Sequence, residues 1–451
     1  MNVTHDLSGV IQSGMCIGCG ACEMADPTVQ VSLSPKRLIY EPETPGSQRA
    51  ADVCPAISVD YDGLQKYLFP GQEIGPFGVV QSVHLAQSTN IERNMKASSG
   101  GLIKELLRSL LSSGEIDGVI ALDHVDGIEF AARLVTTADD VDTLPGSIYH
   151  NVKQTPALRL LQETPGRLAI VAIPCQLEGL YSWVKAQAPE LRDKIVITIG
   201  LLCGWQYSHH SINAMGEYLG YDPAEIADIS YRGGGPVGKL TVTTHSGQQY
   251  SASRRVDFGY QVAFDRHFNT TRCHVCINHS NFLADLVVGD AWLPSTVFTK
   301  TGISLVVCRT VFAEKSLQRV VDQGSCVSMK VGEEEIRESQ TDRVVFGEFA
   351  YAYADFLRGI GVHTPRLDGP NKGFGTLKPR RQIAKFHREL VRKQSLMAER
   401  RYKYMKLRKA TLELRSYVMR YVRWFVVRIL RVKSLSGQRK EIPRERFSDF
   451  R

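Results

Sequence analysis

The fold is decided by a buried strand and the turn after it, residues 168–176, which read LAIVAIPCQ. Six apolar residues in succession predict a strand covered on both faces, because a strand with one solvated face would alternate with polar residues. Residues 195–199 repeat the pattern, and a stripe of leucines over 102–111 predicts a helix. Buried strands that alternate with helices are typical of an α/β fold. The sequence therefore predicts a mixed α/β (α+β) catalytic body.

Composition divides the chain into three parts. A Gly- and Pro-rich stretch over 361–379 separates the body from a C-terminal tail. We predict a small N-terminal domain over residues 1–62, a catalytic body over 79–360 that divides near 160–170, and a helical tail over 376–451. Further strands are predicted at 79–85, 119–122, 286–288 and 303–307, with a hairpin between 240–244 and 250–252.

Four cysteines near the N-terminus carry the pattern of a bacterial ferredoxin reduced to one cluster. Cys16, Cys19 and Cys22 form the run C-x2-C-x2-C, and Cys54 is followed by a proline. Ferredoxins with two clusters use C-x2-C-x2-C-x3-C-P twice, and the last Cys of each run ligates the other cluster. Because Asp26 replaces the fourth Cys of the first run, one cluster remains. The pattern predicts a ferredoxin-like domain with one [4Fe-4S] cluster. Structural zinc is the alternative, although zinc sites favour paired C-x2-C hooks.

A second set of four cysteines is spread along the body. Cys175 and Cys203 each follow a buried strand, and the carboxyl ends of such strands meet at one edge of a sheet. Cys273 and Cys276 form a C-x2-C hook. The residues alone suit zinc, an iron–sulfur cluster or unrelated buried thiols, and the ferredoxin motif favours a second [4Fe-4S] cluster. The remaining cysteines are predicted to be core residues, namely Cys308 and Cys326.

A phosphate cradle is suggested by Ser98, Ser99, Gly100 and Gly101, which precede the predicted helix. A serine at the N-cap would satisfy free N–H groups of the helix. The glycines would let an anion approach the backbone, where the helix dipole favours negative charge. The segment lacks the Walker pattern and G-x-G-x-x-G, which argues against an ATP site and an ordinary dinucleotide site. A flavin pyrophosphate suits the segment, and an ordinary capped helix is the alternative.

Composition also narrows the class of protein. Of 451 residues, 43% are hydrophobic and 23% are charged, as in ordinary globular proteins. Ten cysteines without a signal peptide indicate metal or redox use in a reducing compartment rather than a disulfide framework. No uninterrupted apolar run reaches the roughly 18 residues of a membrane-spanning helix. We therefore expect a cytoplasmic protein.

The tail is strongly basic. Residues 376–451 hold 24 basic and 6 acidic residues, whereas the rest of the chain holds 31 and 41. Residues 380–432 contain no Pro or Gly and predict one long helix, which is amphipathic towards its end. This pattern predicts peripheral contact with the anionic inner face of a membrane, and docking on the acidic body or on a partner is the alternative. Nucleic acid is not expected, because no recognition motif accompanies the charge.

Several motifs together resemble the beta subunit of coenzyme F-420 (deazaflavin) hydrogenases and dehydrogenases. The chain looks closest to the branch with an N-terminal ferredoxin segment, which includes plant 7-hydroxymethyl chlorophyll a reductase. The matching segments span residues 15 to about 310 and comprise both cysteine sets, Ser98 to Gly101 with Gly114-x-x-Asp117-Gly118, Gly146-Ser147-x-Tyr149, Pro174-Cys175-Gln176, Tyr231-Arg232-Gly233 and Gly289-Asp290-Ala291-Trp292.

The resemblance implies two [4Fe-4S] clusters and one FAD, with the second cluster near the flavin. It implies that the segment from Ser98 to Gly101 contacts the flavin. Tyr149, Arg232 and Asp290 are candidates for flavin or substrate contacts, against the alternatives of a core ring, a surface charge and a turn residue. No catalytic residue is singled out. The implied partners are an electron donor, such as ferredoxin or a reduced deazaflavin, and a small-molecule or glycan-precursor substrate.

Three functions remain in view. The first is an iron–sulfur flavoprotein oxidoreductase that passes electrons between the clusters, FAD and an organic substrate or the deazaflavin coenzyme, for example in bacterial cell-surface polysaccharide metabolism. The second is a non-catalytic electron-transfer subunit of a larger complex. The third is a zinc-stabilised interaction protein, which a bound flavin would exclude.

Overall fold

The computed structural model describes residues 6–235, 237–264, 267–296, 299–369, 380–398 and 405–435. Within these ranges the strands are β1 Val31–Leu33, β2 Tyr40–Pro42, β3 Ser58–Asp60, β4 Ser82–Ser88, β5 Gly118–Asp126, β6 Glu129–Val135, β7 Leu168–Ala172, β8 Ile195–Leu201, β9 Ile226–Ser230, β10 Lys239–Thr244, β11 Gln249–Ser253, β12 Leu286–Asp290, β13 Ser304–Cys308, β14 Cys326–Val331 and β15 Arg366–Asp368. The helices are α1 Ser8–Ser13, α2 Ala21–Ala25, α3 Gln48–Asp52, α4 Tyr61–Leu68, α5 Ile91–Lys96, α6 Leu102–Ser112, α7 Asp140–Thr143, α8 Thr155–Glu163, α9 Pro174–Gln187, α10 His210–Leu219, α11 Phe258–Ala263, α12 Val311–Asp322, α13 Glu334–Ser339, α14 Thr341–Gly359, α15 Arg380–Ala398 and α16 Lys409–Leu435. Short 3-10 turns lie at Pro189–Lys194, Pro223–Glu225 and Thr271–Val275.

The central element is an eight-stranded mixed sheet with the order β14-β4-β13-β12-β8-β7-β5-β6. Strands β12, β8, β7 and β5 run parallel to one another, and the outer strands pair antiparallel. In β7, Leu168 and Ile170 join one apolar cluster, whereas Ala169 joins another. The strand is thus covered on both faces, as its continuous apolar run predicts. The mixed α/β body expected from the sequence is confirmed.

The remaining predicted strands are confirmed, with one displacement. The hairpin forms between β10 and β11, and the strands expected at 119–122, 286–288 and 303–307 are β5, β12 and β13. The strand expected at 79–85 instead begins at Ser82. Before this strand, the Arg309 guanidinium donates hydrogen bonds to the carbonyl oxygens of Phe77 and Val79. The residues up to Val79 are therefore held by a side chain, and the N–H group of Gln81 is the point where the segment meets Cys308 of β13, at 2.9 Å.

The N-terminal domain is completed by residues from beyond the body. Four short helices lie between residues 8 and 68, and the last of them, α4, runs across the boundary predicted at residue 62. Strand β3 pairs in parallel with β15, which lies inside the stretch expected to act only as a separator. An apolar cluster also joins Val10 and Cys16 to Tyr353 and Leu357 of α14. The chain therefore returns to its own N-terminal domain after the catalytic body.

Within the described residues of the tail, the structure gives helices α15 and α16. Helix α15 ends at Ala398, and α16 begins at Lys409 after a turn at Arg408, while residues 399–404 lie outside the described ranges. The two helices dock on different parts of the body: α15 packs its Phe386 against Phe349 of α14, whereas α16 packs near α11. The two described helices contact different surfaces of the body, and the single helix predicted over residues 380–432 crosses positions outside the described ranges.

Helix α16 is apolar on the side that faces away from the body. Leu412 and Ser416 are buried, and the Ser416 hydroxyl accepts a hydrogen bond from the Phe258 N–H group. The opposite side is exposed and carries Leu414, Tyr417, Val418, Tyr421, Val422 and Phe425, here called the outer face of α16. No helix within the described ranges has both the length and the apolar character that a membrane crossing requires.

We expect Arg309→Met to lower the free energy of unfolding by about 3 kcal/mol. Arg309 is fully buried and donates to the carbonyl oxygens of Phe77, Val79 and Ser280, which would lose their partners. Thermal unfolding followed by circular dichroism measures the loss. The matched control is Arg319→Met, which removes a part-exposed ion pair with Glu115 and should cost under about 1 kcal/mol. Equal losses in the two variants would contradict the structural role of Arg309.

Candidate functional site

A cavity of about 980 Å³ opens at the carboxyl edge of the parallel strands. Its walls include the ends of β7, β8 and β12 and the first turn of α6. Ligands bind at this edge of open α/β sheets, because the loops that leave the strands diverge there and leave a crevice. The volume lies near the upper end of the range for small-molecule sites, about 300–1,000 Å³. This cavity is therefore the candidate site of the body.

The first cysteine set is gathered in one place. Cys16, Cys19, Cys22 and Cys54 are buried, and none of them forms a disulfide. Burial, and next a neighbouring thiol of the set, raise the pKa of Cys16, Cys19 and Cys54 to about 12. Gly18 adopts a φ of 70° and its N–H group donates to the sulfur of Cys16 at 3.4 Å. A bound metal centre would favour the thiolate form of these thiols.

The second cysteine set is gathered where the sequence predicts it. Cys175 is the second residue of α9, directly after β7, and Cys203 lies just beyond β8 in the wall of the cavity. The 3-10 turn carries Cys273, and Cys276 follows it. Burial raises the pKa of Cys175, and Glu178 and the other three thiols raise it further. The four thiols thus lie close enough for the charge on one to raise the pKa of another.

Both cysteine sets adjoin the same turn of α9. Gly179 lies four residues after Cys175, about 6 Å along the helix axis. A Cβ atom on Gly179 would lie 2.6 Å from the sulfur of Cys19, so the first set packs directly on the helix backbone there. A glycine is required at this position, because any larger residue would displace Cys19. One helical turn therefore separates a thiol of the second set from a contact of the first.

The spacing of the thiols bears on the kind of metal centre. Within the described residues, no three His, Cys, Asp or Glu side chains converge closely enough to hold a single metal ion. Around one tetrahedral zinc ion, bonds of about 2.3 Å would bring the sulfurs to about 3.8 Å from one another. Four cysteine thiolates are equally the ligand set of an iron–sulfur cube. The donor sets suit [4Fe-4S] clusters.

The observed start of α6 differs from the phosphate cradle that the sequence predicts. The N-cap of α6 is Gly101, at a φ of 77°, and no side chain caps the helix, so the prediction of a serine N-cap is wrong. The serines are engaged elsewhere: Ser98 accepts from the N–H of Ser147 at 3.1 Å, and Ser99 lies 2.8 Å from the hydroxyl of Ser304. The turn at Gly101 carries the helix start past both serines. The first turn of α6 therefore has no side-chain cap, and its residues line the cavity.

Gly100 lies behind the cavity wall. Ser98, Ser99 and Gly101 line the cavity, whereas the N–H of Gly100 donates to Ser304 at 2.8 Å. A Cβ atom on Gly100 would lie 2.7 Å from the carbonyl oxygen of Ala86. This glycine lets the cradle pack closely against the sheet, and the structure gives it no direct access to a ligand.

The three other predicted contacts meet in the cavity. Tyr149, Arg232 and Asp290 all line it, and Arg232 Nη1 lies 2.6 Å from Asp290 Oδ2. Arg232 is buried rather than a surface charge. Burial lowers its pKa, but Asp290 and Tyr149 outweigh that effect and raise the pKa above its usual value. The cavity therefore holds a permanent cation oriented by a carboxylate.

Further lining residues escaped prediction from the sequence. The Arg254 guanidinium lies 5.6 Å from the centre of the Tyr149 ring, and that of Arg343 lies 4.5 Å from the centre of the Trp205 ring. Arg254 comes from the end of the β10–β11 hairpin, and Arg343 comes from α14. Neither belongs to a motif, so only the fold reveals them. Trp205 follows Cys203 by two residues, which is the one signal that the sequence offered.

Two family models describe the coenzyme F420 hydrogenase/dehydrogenase beta subunit, and both match this chain. The model of the N-terminal part matches residues 83–161, and that of the C-terminal part matches residues 166–334. The chain belongs to this family. The resemblance read from the motifs is confirmed, while the narrower resemblance to the branch with a ferredoxin segment stays a prediction.

Individual relatives agree with the family models. One subunit of the F(420)H(2) dehydrogenase of Methanosarcina mazei is 25% identical over 70% of this chain and 85% of its own length. The coenzyme F420 hydrogenase subunit beta of Methanococcus voltae is 25% identical over 55% and 84%. The coenzyme F420-dependent sulfite reductase of Methanocaldococcus jannaschii is 24% identical over 68% and 46%. The chain is accordingly an oxidoreductase with an electron-transfer role.

A solved structure supports the fold. A chain of the F420-reducing [NiFe] hydrogenase complex from Methanosarcina barkeri superposes with a TM-score of 0.50 and 19% sequence identity, over 67% of this chain and all of that chain. At this level of identity the likeness concerns the fold, and it agrees with the mixed sheet described above.

We expect Cys175→Ser to lower the iron content of anaerobically purified protein from about eight to about four atoms per chain. The substitution removes a thiolate from the second set and leaves the first set intact. Cys308→Ser is the matched control, because Cys308 is fully buried in β13, where the sequence predicts a core residue, and should leave iron unchanged. Iron and acid-labile sulfide analysis measures both. Unchanged iron in Cys175→Ser would contradict its assignment as a ligand.

Proposed function

We propose that the chain is an iron–sulfur flavoenzyme that exchanges electrons with a deazaflavin coenzyme through FAD and two [4Fe-4S] clusters. The family supports the coenzyme, since the relatives described above are named for reactions with F420. The clusters would be held by Cys16, Cys19, Cys22 and Cys54, and by Cys175, Cys203, Cys273 and Cys276.

One observation carries the proposal: both cysteine sets and the cavity form a continuous series. The first set packs on Gly179, the second set begins one turn earlier at Cys175, and Cys203 of that set lines the cavity. A series of closely spaced centres is the arrangement that electron transfer requires. A structural zinc protein would have no need to bring two metal sets to one helical turn beside a ligand cavity.

The chain's own residues would bind and orient the cofactors. The uncapped N-terminus of α6 at Gly101 would receive a pyrophosphate, and the cation of Arg232, fixed by Asp290, would orient a second polar group in the cavity. Gly179 lets Cys19 of the first cysteine set pack close to the helix that carries Cys175 of the second. When bound, a flavin supplies the conversion between hydride and single-electron chemistry, and the clusters supply single-electron transfer.

The alternative is an electron-transfer subunit that acts on no substrate of its own. Two of the relatives are named as subunits, which supports a redox partner for this chain. A ferredoxin-like donor would suit the N-terminal cysteine set. The glycan-precursor substrate suggested by the sequence stays a prediction, and the names of the relatives favour the deazaflavin instead.

We expect anaerobically purified protein to contain about eight iron atoms, eight sulfide ions and one FAD per chain. Reduced coenzyme F420 should then bleach the flavin absorbance, because hydride transfer reduces the bound ring. Metal, sulfide and flavin analysis, followed by anaerobic titration, measures both. Zinc without flavin would overturn the proposal. Loaded protein that does not respond to reduced F420 would refute the deazaflavin as its partner.

We further propose that the outer face of α16 lies on an anionic membrane surface. Its six apolar and aromatic side chains are exposed, and Arg415 and Arg420 are exposed on the same helix. Such a helix places its rings at the boundary between headgroups and acyl chains, while its arginines meet anionic lipids. The buried Leu412 side fixes the helix to the body, so the apolar outer face points outward.

We expect the triple variant Tyr417→Ser, Tyr421→Ser and Phe425→Ser to bind anionic vesicles at least about tenfold more weakly, since three exposed rings are lost. Co-sedimentation with vesicles of anionic lipid measures binding. Ile91→Ser, an equally exposed apolar position outside the tail, is the control and should bind as the wild type does. Undiminished binding of the triple variant would refute the membrane surface and favour a protein partner.

A further inference from the structure

A fully buried ion pair lies between the two cysteine sets. Arg272 Nη2 lies 3.3 Å from Glu178 Oε2, and the side chains are 2% and 0% exposed. Glu178 follows Cys175 by three residues on α9 and directly precedes Gly179, on which Cys19 packs. Arg272 directly precedes Cys273. Each charged residue thus lies on a segment that carries a cysteine of the second set. Glu178 also lies next to Gly179, on which Cys19 of the first set packs.

The carboxylate of Glu178 is held from three directions. Its Oε1 accepts from the Tyr61 hydroxyl at 2.6 Å and from the Asn278 side-chain amide at 3.1 Å, and its Oε2 faces Arg272. Tyr61 belongs to α4 of the N-terminal part, whereas Asn278 follows the C-x2-C hook. Arg272 is fixed in turn by the carbonyl oxygen of Val275, at 3.2 Å. The pair therefore keeps its position relative to both sets.

Stability does not account for such a pair. Removing two charges from water costs several kcal/mol for each ion, and apolar residues of similar volume often stabilise a core as well or better. What such a pair does supply is a fixed electrostatic field at its neighbours. A cluster accepts an electron more readily beside a cation and less readily beside an anion, and local charge and hydrogen bonds set its reduction potential.

We propose that Glu178 and Arg272 are a fixed pair of opposite charges that sets the reduction potentials of the two clusters. This inference rests on the proposed function, which supplies the clusters. The carboxylate holds the potentials down and the guanidinium holds them up. Because the two charges are opposite and fixed, their balance sets the range of potential in which the clusters accept and release electrons.

The test compares the midpoint potentials of the clusters in variants that remove one charge of the pair or both. E178Q should shift the potentials of the clusters to more positive values, and R272M should shift them to more negative values. The double variant E178Q/R272M should return close to the wild type. Redox titrations followed by electron paramagnetic resonance, with iron counted in each variant, measure these shifts. A purely structural role would lower cluster occupancy without shifts of opposite sign.

Two further variants keep the test decisive. R167Q removes an exposed ion pair with Asp117 at the opposite edge of the sheet and should leave both potentials unchanged. If R272M does not accumulate, Y61F removes one donor to the carboxylate and should move the potentials in the same negative direction by a smaller amount. Wild-type protein without iron would overturn the proposed function, whereas loaded variants with unshifted potentials would overturn this inference alone.

Discussion

The first turn of α9 is the constraint on which the rest of the structure depends. It begins at Pro174, immediately after β7 has reached the carboxyl edge of the sheet, so its position is fixed by the ladder itself. Cys175 enters the second set from this turn, and the bare backbone at Gly179 admits Cys19. The N-terminal domain must therefore dock at the edge where the cavity opens. The position of the start of α9 thus determines that the N-terminal domain and the second cysteine set lie next to each other.

The sequence reveals the parts of this arrangement that depend on local patterns. Continuous apolar runs predict β7 and β8, and a run that ends in Pro-Cys predicts the thiol at the sheet edge. The cysteine spacing predicts which thiols belong together. The strand predictions succeed because each strand is set within a few residues by burial.

Other features depend on contacts between distant segments, and the sequence carries no trace of them. The serines before α6 read as caps, but tertiary contacts with Ser147 and Ser304 occupy them and leave Gly101 at the cap. Arg254 reaches the cavity only because a hairpin folds over it. Secondary-structure propensity does not predict which distant residue will form a hydrogen bond with a given side chain.

The pairing of β3 with β15 has a consequence for the order of events during synthesis. The N-terminal cysteines leave the ribosome first, yet the strand that completes their domain, and the α14 residues in its apolar cluster, follow about three hundred residues later. Until then Cys16, Cys19, Cys22 and Cys54 lack their full cover. Assembly of a metal centre in the N-terminal domain thus depends on synthesis of α14 and β15. A truncated product would leave these thiols exposed to solvent.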